Sequence, residues 1–172
     1  MKKVSRMAKM GAVTLVCSTA ILLAWYPGRM TGGGSVITGT GVRVTHGFQL
    51  HCGTEPLNGV QTIPGPNSLQ INWDSGNHWH LDNLTYAECK NDDGQSPAPP
   101  RNTANGFNKY FGKGTGTCNG VAGVYAEWVL IDHGEPGTDD TAEYHIVPQG
   151  ACPGLAVGTT ALTFGNHQAH AH

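Results

Sequence analysis

Charged side chains are scarce in this chain. Asp, Glu, Lys and Arg together make up 13% of its 172 residues, about half the share of an average soluble domain. Aromatic residues reach only 8%, and after residue 30 no segment repeats its apolar residues with the period of 3.6 that indicates an amphipathic helix. The sequence therefore predicts a domain built without substantial helices.

Basic residues are especially few beyond the N-terminus. Four of the ten Lys and Arg lie in the first nine residues, and from residue 25 on six Lys and Arg face twelve Asp and Glu, a net charge of −6. No basic patch remains in the sequence to attract a phosphate backbone. We therefore expect no nucleic acid among the partners.

The basic residues at the N-terminus precede an uncharged, largely apolar stretch, MGAVTLVCSTAILLAWY (10–26). This order is typical of a secretory signal peptide. We predict a signal peptide over residues 1–24, cleaved after Ala24, and a secreted or cell-surface protein, periplasmic or extracellular. The stretch is near the lower length limit for crossing a bilayer. An uncleaved anchor therefore stays the alternative, and the membrane is a partner only through this segment.

Glycine and proline are abundant, with 25 and 10 residues. Between these turn-forming residues lie short apolar runs that alternate with polar residues, such as VRVTHGFQLHC (42–52), where Val44, His46 and Phe48 share one face. Seven to nine such short strands predict an all-β fold, an antiparallel β-sandwich or a partly open barrel. We expect His46 to be a hydrogen-bonded core residue.

The domain is predicted to span residues 35–172. Before it, the glycine-rich GRMTGGG (28–34) predicts a flexible linker over residues 25–34. The final strand is expected in LAVGTTALTF (155–164), and the chain then ends in a histidine-rich tail, GNHQAHAH (165–172).

Four cysteines follow the N-terminal segment: Cys52, Cys89, Cys118 and Cys152. In an exported chain an even number of cysteines predicts disulfides, here two, and four cysteines allow three pairings. The spacing contains no CxxC and gives little support to a structural zinc site or a redox pair.

Several ordered motifs resemble a known family. They are GGGSVITGTGVRVTHGFQLHC, NSLQINW, HLDNLTYAEC, GKGTGTCNGV, AEWVLIDHGEPGTDDTAEYHI and GNHQAH. Over residues 32–170 the chain is similar to the post-COAP-1 type of bacterial secreted or surface module. The resemblance implies an all-β extracellular domain and carries no catalytic role with it.

The resemblance also bears on the cysteines. Members of the family typically have cysteines at the positions of Cys52 and Cys89, whereas Cys118 and Cys152 are additional. Because two cysteines gained together are most simply partners, the resemblance implies the pairs Cys52–Cys89 and Cys118–Cys152. It also implies that GNHQAH is part of the fold.

The nine histidines are the richest chemical resource of the sequence. Imidazole is the commonest protein ligand for transition metals, and a tail that returned beside the early strands would bring together His51, His80, His167 and His170. We predict a transition-metal site at these four residues as one hypothesis. The alternative is that these imidazoles bond to carbonyl groups and support loops.

A second candidate site lies in DHGEPGTDD (132–140). Four carboxylates within nine residues match the oxygen ligands that Ca²⁺ prefers, and the candidate ligands are Asp132, Glu135, Asp139 and Asp140. The alternative is a turn in which the Asp side chains accept backbone N–H bonds.

The leading functional interpretation is a non-catalytic secreted or cell-surface module, binding or structural, whose partner is an extracellular protein or a glycan. A histidine-based metal-binding protein or small metal-dependent enzyme is the first alternative, and a carbohydrate-binding module is the second. The sequence assigns no catalytic residues and requires no cofactor, and calcium or a transition metal is the cofactor expected if either candidate metal site is real.

Overall fold

Nine antiparallel strands make up the described part of the chain. The protein is described here by a computed structural model, which covers residues 28–57, 59–74, 76–91 and 106–171. The strands are β1 (Gly28–Ile37), β2 (Arg43–His51), β3 (Ser68–Trp73), β4 (Asn77–Lys90), β5 (Lys109–Cys118), β6 (Val121–Ile131), β7 (Thr141–Ile146), β8 (Leu155–Ala161) and β9 (Phe164–Ala171). One 3-10 turn, Gly137–Asp139, precedes β7.

All nine strands belong to one sheet, in the order β8-β7-β6-β5-β4-β3-β2-β1-β9. Strands β1 to β8 follow one another as a meander, and β9 returns to pair with the outer side of β1. The sheet curls into a half-barrel. The prediction of an all-β antiparallel fold with seven to nine strands is confirmed, and the arrangement corresponds to the partly open barrel.

The inner face of the curled sheet forms the core. The His46 ring on β2 lies 5.6 Å from that of Tyr144 on β7, and Trp79 on β4 lies 6.0 Å from Trp128 on β6, measured between centroids. Alternation dictates this arrangement, because every second residue of each strand points inward. The predicted shared face of β2 is confirmed, since Val44, His46 and Phe48 are all buried.

The prediction of a flexible linker over residues 25–34 is wrong for its described part. Residues 28–34 are the first part of β1, paired with β2 on one side and β9 on the other. Glycine permits this close pairing: a Cβ on Gly32 would clash with the Asn166 carbonyl of β9, and one on Gly34 with that of Phe164. The glycines that indicated flexibility instead allow two strands to approach.

The C-terminal prediction also needs correction. The segment expected as one final strand divides into β8 and β9, separated by Leu162 and Thr163. The Leu162 N–H donates to the Asp140 carbonyl and that of Thr163 to the Ser35 carbonyl. The histidine-rich segment is therefore part of β9 up to Ala171.

Two disulfides connect the strands, and the pairing implied by the family resemblance is confirmed. Cys52–Cys89 joins the end of β2 to β4, and Cys118–Cys152 joins the end of β5 to the β7–β8 loop. Disulfides of this kind are typical of proteins in an oxidising, extracellular environment.

The predicted signal peptide lies outside the described residues. Within the part of the chain that the structure covers, no helix is long and apolar enough to cross a membrane.

Candidate functional site

The acidic loop between β6 and β7 uses its carboxylates to hold strand β9. Asp132 accepts a hydrogen bond from the Ala169 N–H of β9 (2.8 Å), and Asp140 accepts one from the His167 N–H (2.6 Å). The second oxygen of each carboxylate accepts a backbone N–H of the loop, from Gly134 and His133 respectively, both at 2.8 Å. Asp132 and Asp140 are buried. We refer to this pair as the carboxylate clamp.

The carboxylate clamp accepts hydrogen bonds from backbone N–H groups on the edge of β9 that faces away from β1. Among the described strands β9 pairs with β1 alone, so its other edge presents backbone N–H groups that none of these strands accepts. Unpaired buried N–H groups are costly, and the two carboxylates supply the acceptors. Burial raises the pKa of Asp140 to about 7, although the N–H bonds from His167 and His133 act in the opposite direction.

The calcium prediction is corrected by this geometry. Asp132 and Asp140 are turned toward backbone N–H groups, Glu135 accepts hydrogen bonds from Asn166 (2.8 Å) and Gln168 (3.4 Å), and Asp139 is exposed to solvent. The described residues contain no group of three or more His, Cys, Asp or Glu side chains placed to hold a metal ion. The alternative, Asp side chains that accept backbone N–H bonds, describes the loop.

The four histidines predicted as a transition-metal site are likewise not brought together. His80 is exposed on β4, 3.4 Å from Asp82, whereas His167 is fully buried. His51 bonds to Asn67, and His170 lies 2.8 Å from Thr31. The reason is strand alternation, which directs His167 into the core and His80 to the outer face.

His167 instead bonds to His46 in the core, with 2.9 Å between the two Nε2 atoms. His167 Nδ1 lies 3.2 Å from the Ile131 carbonyl, which only accepts, so this nitrogen carries the proton. His46 Nε2 must then donate to His167 Nε2. Burial is the main cause that lowers the pKa of His46 to about 3 and that of His167 to about 4. The expectation that His46 is a core residue is confirmed.

The outer face of β4, β5 and β6 carries a group of aromatic and charged side chains that the sequence did not reveal. Its members are Tyr86, Phe111, Lys113, Tyr125 and Glu127, which we call the aromatic cluster. Backbone register aligns Tyr86, Lys113 and Glu127 in one row across the three strands. All five side chains are partly exposed.

Contacts within the aromatic cluster fix its geometry. Lys113 Nζ lies 3.1 Å from Glu127 Oε1, 5.0 Å from the centroid of Phe111 and 5.9 Å from that of Tyr86. The Tyr86 and Phe111 rings meet edge to face at 5.7 Å, and the Tyr125 hydroxyl donates to Glu127 Oε1 at 2.6 Å. An ion pair is thus held between aromatic rings at the surface of the sheet.

The charge state of the aromatic cluster follows from these contacts. The hydrogen bond from Tyr125 is the main cause that lowers the pKa of Glu127, and Lys113 adds to it. Desolvation, together with Glu127, raises the pKa of Tyr125 to about 12. At neutral pH Glu127 is ionised and Tyr125 is protonated. Glu127 is therefore poorly suited as the general acid of a glycosidase, which needs a raised pKa.

A scan against protein-family models, a search of curated proteins and a search of solved structures each found no match to this chain. The resemblance to the post-COAP-1 type of module therefore stays a prediction. A function for the aromatic cluster has to rest on the chemistry of its own residues.

Proposed function

We propose that this chain is an exported, non-catalytic binding module that binds a carbohydrate on the aromatic cluster of its outer sheet face. The observation that carries the proposal is the Lys113–Glu127 ion pair, fixed at 3.1 Å and flanked by the rings of Tyr86 and Phe111. A sugar ring has apolar C–H faces and a rim of hydroxyl groups. It is complementary to a surface that offers ring faces and fixed polar groups side by side.

Preorganisation supports this function. Glu127 is held by Tyr125 and Lys113, and the sheet backbone fixes the spacing of the rings. Because these side chains are already ordered, a ligand would have little conformational entropy to remove on binding. Tyrosine is also suited to such a surface, since its ring gives apolar contact and its hydroxyl a hydrogen bond.

Export supports the proposal from a different direction. The two disulfides favour an oxidising compartment, and the N-terminal segment has the pattern of a signal peptide. A module outside the cytoplasm encounters the glycans of envelopes and matrices. We therefore favour a glycan over a protein as the partner, because the aromatic cluster is small and interrupted by charges.

The proposal is tested on a glycan array, followed by titration calorimetry with the glycans that bind. Tyr86→Ala and Phe111→Ala should each lower the affinity about tenfold, the equivalent of about 1.4 kcal/mol for a lost aromatic contact. Phe164→Ala is the matched control, because Phe164 is an aromatic residue with 74% of its surface exposed, on β9 and away from the aromatic cluster. Absence of any glycan binding, or an equal loss in the control, would contradict the proposal.

A further inference from the structure

A groove lined by polar side chains crosses the outer face of β2, β3 and β4, on the face of the sheet that also carries the aromatic cluster. Its larger part has a volume of about 460 Å³ and its smaller part about 280 Å³, and the two share Thr45 and Asn72. The volume of the larger part lies within the range of small-molecule sites, and both parts are open to solvent. We call it the polar groove and define it by the side chains of Thr45, Ser68, Gln70, Asn72, His78 and His80.

The polar groove arises from register and from one glycine. Gly47 and Gln70 pair across β2 and β3, and Gln70 pairs with His80 of β4. Gly47 has no side chain, and a Cβ at that position would meet nothing within 4 Å. The gap at Gly47 leaves the neighbouring amide and imidazole groups accessible along one side.

Several of these groups are already held in place. The Gln70 amide donates to Asn72 Oδ1 at 3.3 Å. His80 Nε2 lies 3.4 Å from Asp82, which in turn accepts a hydrogen bond from the Thr117 hydroxyl at 2.7 Å. Gln70, Asn72 and His80 therefore each have a contact that restrains their position in the polar groove.

The polar groove and the aromatic cluster lie on the same face of the sheet, and outward side chains of β5 lie between them. His80 pairs with Thr117 of β5, and Thr117, Thr115 and Lys113 follow one another on the outer face of that strand. At about 3.3 Å per residue, Thr117 and Lys113 are about 13 Å apart, and crossing from β3 to β5 adds about 10 Å. The path from the polar groove to the aromatic cluster is therefore longer than one sugar ring.

The polar groove is nearly free of fixed charge. Among the described residues that line it, Arg43 at one end is the only permanently charged side chain, and Asp82 lies beside His80 where the path continues toward the aromatic cluster. Sulfated, phosphorylated or uronic acid chains are usually recognised by several Lys or Arg. Amides and hydroxyls instead match the hydroxyl and acetamido groups of uncharged sugars, because each of these groups both donates and accepts.

We infer that the ligand is a linear, uncharged oligosaccharide that stacks on the aromatic cluster and continues along the polar groove. The inference rests on the proposed function and specifies its ligand class. It requires that affinity increase with chain length, since a disaccharide covers the aromatic cluster alone.

The test uses the exported protein with both disulfides formed, titrated with oligomers of two to six units. The probes are cello-oligosaccharides, chito-oligosaccharides and a dimer-to-hexamer series of any linear glycan that binds on the array. Affinity should rise at least tenfold from dimer to hexamer. The double variant Gln70→Ala, Asn72→Ala should lower hexamer affinity about tenfold and leave dimer affinity unchanged. The matched control is Gln149→Ala, an exposed amide in the β7–β8 loop.

The outcomes separate the two proposals. The extended site, formed by the aromatic cluster together with the polar groove, is wrong if the dimer and the hexamer bind with equal affinity. It is also wrong if the double variant binds the hexamer normally while Tyr86→Ala does not. In both cases the proposed function stands. A preference for sulfated chains over uncharged ones would also overturn the extended site. If no glycan binds, the proposed function itself fails.

Discussion

Removal of the Asp132 carboxylate tests whether the acidic loop stabilises strand β9 or binds calcium. In Asp132→Ala the buried Ala169 N–H loses its acceptor, at a cost of about 1–3 kcal/mol, and the partly buried Gly134 N–H loses one as well, at about 0.5–1.5 kcal/mol. We expect the free energy of unfolding to fall by about 2–4 kcal/mol. At about 4 °C per kcal/mol for a domain of this size, the melting temperature falls by about 8–16 °C.

The assay is thermal and urea unfolding, followed by circular dichroism, in the presence of either CaCl₂ or EDTA. Asp132→Asn keeps one acceptor oxygen and should lose about half as much stability as Asp132→Ala. Asp139→Ala is the matched control, because Asp139 belongs to the same loop but is exposed. Its effect should stay within about 0.5 kcal/mol.

The calcium hypothesis makes the opposite prediction on two points. It requires Asp139→Ala to destabilise the protein about as much as Asp132→Ala, and EDTA to lower the melting temperature of the wild type. Either result would refute the carboxylate clamp. A loss below about 0.5 kcal/mol in Asp132→Ala would refute it as well.

Three further outcomes are expected from the core and the crosslinks. The pKa values of His46 and His167 are lower in the folded state, so their contribution to the free energy of unfolding is present above pH 6.5 and is lost as the pH falls toward 4. The pKa of Asp140 is raised in the folded state, so protonation of Asp140 below pH 7 increases the free energy of unfolding and offsets part of this loss. Between about pH 5.5 and 4.5, where the unfolded histidines are almost fully protonated, two histidines against one aspartate leave a net difference of about one proton, so the free energy of unfolding falls by about 1.4 kcal/mol per pH unit. Asp140→Asn should roughly double this slope in urea unfolding measured at several pH values, and a flat profile would contradict the burial of the histidine pair. Replacing Cys118 and Cys152 by serine removes a crosslink between residues 34 positions apart and so increases the chain entropy of the unfolded state. The free energy of unfolding, measured with urea, should fall by about 4 kcal/mol, and a fall below about 1 kcal/mol would contradict this reasoning. Gly112→Ala places a methyl group against the Trp128 indole and should cost about 1–3 kcal/mol in urea unfolding, whereas Gly158→Ala on β8, where nothing lies within 4 Å, should cost less.

The sequence predicted those parts of the fold that depend on local alternation. β2 is an example, because every second residue from Val44 to Leu50, including His46 and Phe48, is buried. β1 was missed because its glycines lack the apolar pattern of a strand, and their role appears only when β2 and β9 lie on either side. Pairing partners that are distant in the chain leave no local signal.

The same limit explains the two metal predictions. DHGEPGTDD shows four carboxylates, but their acceptor role depends on the N–H groups of His167 and Ala169, 27 and 37 residues away from their partners. The aromatic cluster was missed for a related reason. Tyr86 follows two irregularities in the β4–β5 register, between Leu81 and Asn83 and between Leu84 and Tyr86, so its face cannot be counted reliably along the sequence.

The distribution of aromatic residues indicates where a ligand can bind. The interior of the half-barrel is occupied by large, fully buried side chains, among them Trp79, Tyr110, Trp128 and Tyr144. Because protein interiors are packed at the density of organic crystals, a ligand in that interior would have to displace these rings. Tyr86 and Phe111 would gain hydrophobic stabilisation from burial, yet they lie on the outer face beside a fixed ion pair. A surface that keeps aromatic rings accessible while the core beneath it is full is the part of this fold best suited to a ligand.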